Sequence, residues 1–242
     1  MKNIIVTGAS GCIGSEISRA LAEDGSRLFL IGHKSMDFLR DLKEKIESCC
    51  NSSVYTFSCD LSKEDEVDSL FEEIFKISKG IDILVNNAGI SYIGLLQDMK
   101  ISDWDRVIDT NLRSIFLMSR KVIPSMVANK SGKIINISSI WGSYGASCEV
   151  CYSASKGAIN SFSKALAKEL APSNIQVNAI SFGVIDSKMN NFLNDDEKKV
   201  LTEEIPASRF GLPSECGKMV KLISQSPEYL TGQIITLDGG LF

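Results

Sequence analysis

The chain has 242 residues, of which 44% are hydrophobic and 23% charged, as expected for one large α/β domain or two small ones. Its formal net charge of −4 offers no general attraction to nucleic acid or to an anionic membrane surface. No stretch approaches about 18 uninterrupted apolar residues, and the first residues lead straight into a glycine turn without a signal-peptide pattern. We therefore expect neither nucleic acid nor a membrane as a partner.

Short apolar, β-branched runs alternate with longer amphipathic runs along the whole chain. The short runs predict strands at 3–8, 27–32, 53–60, 81–89, 132–139, 175–181 and 233–240. The longer runs predict helices at 13–24, about 36–48, 62–77, roughly 102–128, about 150–170 and 213–224. Residues 186–205 are polar and mixed in pattern, so we predict no regular element there.

This alternation predicts an α/β fold in which a single domain, residues 1–242, forms a doubly wound parallel sheet of Rossmann type. The sheet should have about seven strands, with helices on both faces. We place a nucleotide-binding half at about 1–90 and a catalytic half at about 91–242. A mobile substrate lid is predicted at about 186–210.

The cysteines and the single histidine limit the metal and redox chemistry of the chain. No two of the seven cysteines form a Cys-x-x-Cys pair, their number is odd, and the only histidine is His33. This usage favours reduced thiols in the cytoplasm, and no cluster has the ligand spacing of a zinc site. We expect a cytoplasmic protein without a metal site.

Three turns predicted at the carboxyl ends of strands indicate a nucleotide site. The glycine-rich stretch "VTGASGCIG" (6–14) joins the first strand to the first helix, where backbone N–H groups can face a pyrophosphate. Asp60 ends the third predicted strand, and "NNAG" (86–89) ends the fourth. A glycine-rich turn alone is a weak signal, but open α/β sheets bind ligands at this edge.

Tyr152 stands four residues before Lys156, so a helix would place both side chains on one face. Taken alone, this pair is more often part of a solvated helix face. With a hydride carrier nearby, a tyrosine can protonate a developing alkoxide, and a neighbouring ammonium should lower the tyrosine pKa from its ordinary value near 10.

The segments "TGASGCIG", "NNAG", Asn111, Ser139 and Tyr152-x-x-x-Lys156 together resemble the short-chain dehydrogenase/reductase family. The overall likeness is to bacterial 3-oxoacyl-acyl-carrier-protein reductases, and it extends to "YLTGQIITLDGG" (229–240). The resemblance implies a nicotinamide-dependent reductase that converts a ketone to an alcohol, as a homotetramer.

The resemblance also implies roles for particular residues. Tyr152 is the general acid, and Lys156 lowers its pKa and hydrogen-bonds the nicotinamide ribose. Ser139 orients the carbonyl oxygen of the substrate. Asn111 anchors a water that relays protons. The residues expected to contact the cofactor are Gly8, Ser10, Gly11, Cys12, Ile13, Gly14, His33, Lys34, Asp60, Leu61, Asn87, Ala88, Gly89, Tyr152, Lys156, Gly183 and Val184.

Several residues depart from the family pattern. Cys12 replaces a glycine of the nucleotide turn, and Phe182 replaces the proline usual before Gly183. No acid follows the second strand in "IGHKS" (31–35), where NAD-specific relatives carry an aspartate. Lys34 can pair with a 2′-phosphate, although it can equally be an ordinary exposed lysine. We expect NADP(H) to be favoured over NAD(H).

The sequence leaves two substrates open, and each is a ketone carried on a protein. Because the same reduction would act on both, the catalytic residues do not distinguish them. Lys130 matches one basic position with which relatives recognise acyl-carrier protein at the rim of the site, but "APSN" (171–174) leaves a second position uncharged. The stretch 140–158 resembles a subgroup that we associate with the 5-aminopentanone group on elongation factor P. Glu149 could pair with the ammonium of such a ketone, or could serve the dipole of its helix. Trp141, Glu149 and Phe182 are the candidate substrate contacts.

Two functions of other classes are weaker. A serine hydrolase built on Ser139 would lack both the GxSxG elbow and a nearby histidine. A non-catalytic NADP-binding sensor with the same fold would have no need to keep the hydroxyl, the phenol and the ammonium together.

Overall fold

A computed structural model describes residues 1–23, 25–187, 189 and 193–242. The strands are β1 (Asn3–Thr7), β2 (Arg27–Gly32), β3 (Ser53–Ser58), β4 (Ile83–Asn86), β5 (Gly132–Ser139), β6 (Ile175–Phe182) and β7 (Ile234–Leu237). The helices are α1 (Cys12–Leu21), α2 (Met36–Cys49), α3 (Glu64–Ile77), α4 (Ile101–Ile108), α5 (Ser114–Asn129), α6 (Trp141–Tyr144), α7 (Val150–Leu170), α8 (Asp195–Glu204) and α9 (Pro213–Ser224).

The seven strands form one sheet in the order β3-β2-β1-β4-β5-β6-β7, and every neighbouring pair is parallel. The chain winds outward from β1 to β3 and then resumes at β4 on the other side of β1. The strand order therefore reverses between β1 and β4, which is where sheets of this kind open a crevice for a ligand. The predicted fold class is confirmed.

Two apolar layers hold the helices against the sheet. Side chains of α1, α2 and α9, among them Ile17, Leu42 and Val220, pack on one face. Side chains of α3, α5 and α7, among them Phe71 and Met118, pack on the other. Parallel strands covered on both faces need apolar residues at nearly every position, which explains the continuous apolar runs of β1, β2 and β4.

The helix predicted over 102–128 is divided into three parts. A π-helical turn at Asp109–Arg113 separates α4 from α5 and contains the buried Asn111. The turn inserts an extra residue into the helical repeat, and such turns are common at functional sites. Periodicity alone could not predict this break, because the apolar pattern continues across it.

Several predicted bounds were wrong, among them the end of the fourth strand, which lies at Asn86 and not at residue 89. β3 ends at Ser58, two residues before Asp60, and α3 begins at Glu64, because Ser62 bonds to Asp60 instead of capping the helix. The short helix α6 was not predicted.

The region 186–205 was predicted without an element, but it contains α8. This helix begins with a capping box in which Asn194 and Glu197 bond each other's backbone N–H groups. The Asn-x-x-Glu spacing was a usable signal for this start. The predicted lid at 186–210 lies partly outside the described residues, at 188 and 190–192.

Candidate active site

The glycine turn after β1 and the "NNAG" turn after β4 are bonded to each other. The hydroxyl oxygen of Thr7 accepts from the backbone N–H groups of Asn87 and Ala88, at 2.9 and 3.1 Å. The side-chain amide of Asn87 donates back to the carbonyl oxygens of Thr7 and Gly8, at 3.0 and 3.3 Å. The two turns therefore form one floor at the carboxyl edge of the sheet.

Two glycines let the backbone segments of this floor pack closely against each other. Gly8 has a φ of +63°, in the left-handed region that side chains disfavour, and a Cβ there would lie 2.8 Å from Cα of Ala88. A Cβ on Gly14 would lie 2.2 Å from the carbonyl oxygen of Gly8. The first turn of α1 consequently packs against the strand end and leaves its backbone N–H groups facing the crevice.

The other residues of this turn that were predicted to contact the cofactor have different surroundings. Cys12 is the first residue of α1 and is exposed, and its Sγ lies 3.9 Å from the carbonyl oxygen of Asp186. Ile13 lines the cavity described below. Ser10 is half-buried, with its hydroxyl 3.2 Å from the place a Cβ on Gly32 would take, and so faces the end of β2.

The residues predicted to hold the adenosine end lie after β2 and β3. His33 and Lys34 are exposed, and no acid stands among 31–35. Asp60 is half-buried, and its Oδ1 accepts from the backbone N–H and the hydroxyl of Ser62. Burial alone would raise the pKa of Asp60, but these hydrogen bonds and the nearby His33 lower it, so the carboxylate is charged at neutral pH. Leu61 directs its side chain into the core.

Ser139, Tyr152 and Lys156 meet where β5 ends beside α7. All three are buried, with 7%, 8% and 4% of their surfaces exposed. The Nζ of Lys156 donates to the carbonyl oxygen of Ile137 at 2.9 Å and lies 5.5 Å from the centre of the Tyr152 ring. The predicted helical spacing thus places phenol and ammonium side by side, with the Ser139 hydroxyl against the phenol.

Burial is the largest influence on the pKa values of Tyr152 and Lys156. It raises the pKa of Tyr152 to about 12; a hydrogen bond with Ser139 opposes the rise and the charge of Glu149 adds to it. Burial also lowers the pKa of Lys156 to about 8. The role expected of Lys156 in lowering the tyrosine pKa stays a prediction, because burial raises that pKa and so acts in the opposite direction.

Asn111 is buried in the π-helical turn, where its side chain fixes the chain after β4. Its Oδ1 accepts from the N–H of Ile90 at 2.8 Å, and its Nδ2 donates to the carbonyl of Ile90 at 2.9 Å and to Ser155 Oγ at 3.0 Å. A Cβ on Gly89 would lie 3.3 Å from Asn111 Oδ1 and 3.5 Å from Lys156 Nζ. Asn111 thus connects the "NNAG" turn to α7 directly behind Lys156.

A cavity of about 180 Å³ opens in front of these side chains. Its walls bring together the predicted contacts Ile13, Asn87, Gly89, Ser139, Trp141, Glu149, Tyr152, Lys156, Phe182, Gly183 and Val184. Phe182 is 3% exposed and packs in the core between β6 and the helices, so its ring is a supporting wall. Ser10, His33, Lys34 and Asp60 lie away from this cavity, towards the ends of β2 and β3, whereas Cys12 lies beside Asp186 and Leu61 packs in the core.

Sequence reasoning missed the part of the wall opposite Tyr152. Ser91, Ile93, Ile185, Met189, Leu193 and Leu201 also line the cavity, and most of them are apolar. Leu201 comes from α8, so the region predicted as a lid contributes one side of the cavity. The proximity of Ser91 and Ile93 to "NNAG" was the only signal for them.

Glu149 is half-buried at the cavity wall, just before the first residue of α7. Its Oε2 accepts from the hydroxyl of Ser91 at 2.7 Å, and it makes no side-chain capping bond to the helix. Burial raises the pKa of this carboxyl, while the bond from Ser91 lowers it. The helix-dipole alternative is therefore not realised as a side-chain cap, and the bond from Ser91 engages Oε2 and not Oε1.

Lys130 lies far from the cavity of its own chain. It ends α5, and its carbonyl oxygen accepts from the side chain of Asn174, which directly precedes β6. Both residues stand at the amino ends of β5 and β6, whereas Ser139 ends β5. An eight-residue strand spans roughly 26 Å, so the expectation that Lys130 lies at the rim of this site is wrong within one chain.

Comparison with known proteins gives the class to which this site belongs. The family model described as short chain dehydrogenase matches residues 2–198, and the chain belongs to that family of oxidoreductases. This confirms the resemblance seen in the motifs.

Individual relatives match over nearly their whole length. The chain is 39% identical to the 3-oxoacyl-[acyl-carrier-protein] reductase FabG of Staphylococcus epidermidis, covering 100% of this chain and 99% of the relative. It is 40% identical to YmfI of Bacillus subtilis, named only as an uncharacterised oxidoreductase, covering 99% and 98%. A crystal structure from Agrobacterium tumefaciens, provisionally assigned as a gluconate dehydrogenase, superposes with a TM-score of 0.92 at 31% identity and covers 99% of this chain and 95% of that one.

The family implies a nicotinamide cofactor, and the crevice fits one. Gly8 and Gly14 let the turn after β1, the start of α1 and the turn after β4 pack backbone against backbone, which places the N-terminus of α1 at the crevice, where it can face a pyrophosphate. Among the described residues, no helix is long and apolar enough to cross a membrane, and no cluster of potential ligands could hold a metal ion.

Proposed function

We propose that this protein reduces a ketone to a secondary alcohol with NADPH. The observation that carries the proposal is the meeting of Ser139, Tyr152 and Lys156 on one cavity wall next to the glycine floor. The nicotinamide cofactor would supply the hydride. The proton for the new hydroxyl must come from the protein, and Tyr152 is the buried acid that faces the cavity.

Ketone reduction needs Tyr152 in its protonated form. A phenol with a pKa of about 12 is protonated at neutral pH, and it can still donate to an alkoxide, which is a stronger base than a phenolate. The hydroxyl of Ser139 is placed to stabilise the charge that develops on the carbonyl oxygen. Asn111 acts behind them by keeping the "NNAG" turn and α7 in register.

The pH profile should expose the buried ammonium. Burial lowers the pKa of Lys156 to about 8, so its charge is present below that pH and is lost above it. We expect kcat/KM for NADPH, which reports the free enzyme, to fall as pH rises through about 8. In Lys156→Arg the guanidinium keeps its charge at these pH values. The overall rate should be lower, but kcat/KM should no longer fall as the pH rises through about 8. A wild-type profile that stays flat up to the ordinary lysine pKa would contradict this assignment.

NADP(H) is favoured over NAD(H) by the residues after β2. The absence of an acid among 31–35 removes the group that would repel a 2′-phosphate, and Lys34 and His33 are exposed on the same turn. Asp60 is charged, but Ser62 satisfies one of its oxygens, which leaves Oδ2 to accept from the adenine amine.

Lys34→Ala should narrow the cofactor preference. An exposed charge pair contributes little, so we expect kcat/KM for NADPH to fall by roughly 5-fold while that for NADH stays within about 2-fold. The matched control is Lys45→Ala, which removes an exposed lysine of α2 outside the crevice residues named above. Equal kcat/KM for the two cofactors in the wild type would refute the preference.

The substrate we propose first is a 3-oxoacyl group on acyl-carrier protein. Full-length similarity to enzymes named as 3-oxoacyl-[acyl-carrier-protein] reductases, from Staphylococcus epidermidis and Aquifex aeolicus, supports it. We also propose that the enzyme is a cytoplasmic homotetramer, as the family resemblance implies. Lys130 is distant from the cavity of its own chain. If Lys130 contacts a carrier protein bound at that cavity, it must therefore be the Lys130 of a neighbouring subunit.

The second candidate is the 5-aminopentanone group carried by elongation factor P. The observation that favours it is the half-buried carboxylate of Glu149 at the cavity wall, with Oε1 not engaged by Ser91. A carboxylate there attracts an ammonium and repels an anionic carrier arm. The YmfI relative has no stated substrate and so does not choose between the two.

One experiment ranks the two substrates. The purified enzyme receives NADPH with either 3-oxoacyl-carrier protein or elongation factor P bearing the aminopentanone, and NADPH loss is followed by absorbance. We expect turnover of the carrier-protein substrate; turnover of the factor alone would reverse the ranking. An enzyme that binds NADPH but turns over neither these nor simple ketones would favour the non-catalytic sensor.

A further inference from the structure

At α6, three aromatic rings contact one another, and the proposed reaction assigns no role to these contacts. The ring of Phe242 stacks on Tyr144, with centroids 4.1 Å apart and planes 16° apart. It also meets the ring of Trp141 edge-on at 5.9 Å. We call Trp141, Tyr144 and Phe242 the aromatic cluster. A helix of four residues holds itself weakly, so these contacts matter for where α6 lies.

The inner side of α6 touches the catalytic group directly. The backbone N–H of Trp141 donates to the hydroxyl oxygen of Ser139 at 3.3 Å. A Cβ on Gly142 would lie 2.7 Å from the carbonyl carbon of Lys156, so α6 and α7 pack backbone against backbone at that point. The indole of Trp141 meanwhile forms part of the cavity wall. A shift of α6 would therefore move both the partner of Ser139 and the surface that meets the substrate.

The segment 238–242, which carries Phe242, is held by hydrogen bonds on the side away from α6. The carboxylate of Asp238 accepts from the N–H groups of Gly240 and Phe242, at 2.9 and 3.1 Å. The carbonyl oxygen of Gly239 accepts from the N–H of Ala207 at 3.0 Å, shortly after α8 ends. Phe242 is thus held between β7 and the end of α8, and it presents its ring to α6.

We propose that Phe242 is a positioning residue for the ketone reduction proposed above, on which this inference rests. By holding α6 in place, it keeps the N–H of Trp141 on the Ser139 oxygen, so that the serine hydroxyl stays beside the Tyr152 phenol, where it can donate to the substrate oxygen when a ketone binds. The substrate oxygen gains charge mainly in the transition state, so losing this hold lowers kcat more than it weakens cofactor binding.

The test removes the ring and follows both the reaction and α6. The chain has two tryptophans, so Trp104→Phe leaves Trp141 as the only indole, and all variants are made in that background. In Phe242→Ala we expect a roughly 10-fold lower kcat, an NADPH Kd within about 2-fold, and a red-shifted Trp141 emission. Phe242→Tyr, which keeps an aromatic ring, should restore kcat and emission. The matched control is Tyr229→Ala, which removes a fully exposed ring.

The outcomes separate the possible failures. Unchanged kcat and emission in Phe242→Ala would overturn the inference. A lower kcat that comes with an equal loss of NADPH affinity and is not rescued by Phe242→Tyr would also overturn it, because general destabilisation would then explain the loss. If the wild type reduces no ketone, the proposed function fails, and the emission of Trp141 alone still decides whether Phe242 holds α6.

Discussion

Tyr152→Phe is expected to lower kcat for ketone reduction by about 100-fold or more while NADPH still binds. The change removes one hydroxyl and keeps the buried ring, so the cavity and the helix around it are preserved. Positioned general acids contribute about 10²–10⁴-fold, and Tyr152 is the acid whose hydroxyl is hydrogen-bonded with Ser139. Steady-state NADPH oxidation gives the rate, and quenching of Trp141 emission gives the cofactor affinity.

Two controls belong with this variant. Tyr144→Phe removes a phenolic hydroxyl from the last residue of α6, whose ring stacks on Phe242 outside the catalytic group, and it should retain most of the rate. Ser139→Ala should lose rate without losing NADPH, since it removes the hydroxyl beside the phenol. A Tyr152→Phe enzyme within a few-fold of the wild type would show that the acid lies elsewhere.

The sequence was sufficient for the fold because its signals were local and repeated. Each strand of a parallel sheet is apolar along its length, and each covering helix shows one apolar stripe, so the alternation was visible without tertiary knowledge. The same locality placed Tyr152 and Lys156 together, because a single helical turn connects them.

The remaining parts of the site depend on contacts between distant segments. Ser91 and Glu149 are 58 residues apart, and nothing in either segment shows that a hydroxyl will bond that carboxylate. The distance of Lys130 from the cavity follows from its place at the amino end of β5, which a motif match does not encode. The direction of the Tyr152 pKa shift was missed because it depends on burial, a property of the packed molecule.

Glu149→Gln should change the substrate preference of the enzyme by roughly 30-fold. The carboxylate is half-buried at the cavity wall, where an ion pair at about 4 Å would be worth about 2 kcal/mol after allowance for solvent. Turnover of a ketone that carries a nearby ammonium should therefore fall, whereas a neutral 3-oxoacyl thioester should be unaffected or slightly improved. Glutamine keeps an oxygen that can accept from Ser91, so the bond across the cavity wall is retained and only the charge is lost. The measurement is kcat/KM for both substrates with saturating NADPH.

Ser91→Ala is the matched control, because it removes the bond and keeps the charge. If charge sets the preference, Ser91→Ala should still favour the cationic ketone, and the Tyr152 pKa should fall only in Glu149→Gln, since the charge of Glu149 raises that pKa. The second readout needs no substrate: it is the ultraviolet absorbance of the Tyr152 phenolate in a pH titration, taken as the difference from Tyr152→Phe. If kcat/KM instead falls equally for both substrates in both variants, Glu149 acts only through its bond with Ser91. The proposal of a cationic substrate would then have no support. If Glu149→Gln leaves the ratio of the two substrates unchanged, the carboxylate does not face the reacting ketone, and the 3-oxoacyl group remains as the proposed substrate.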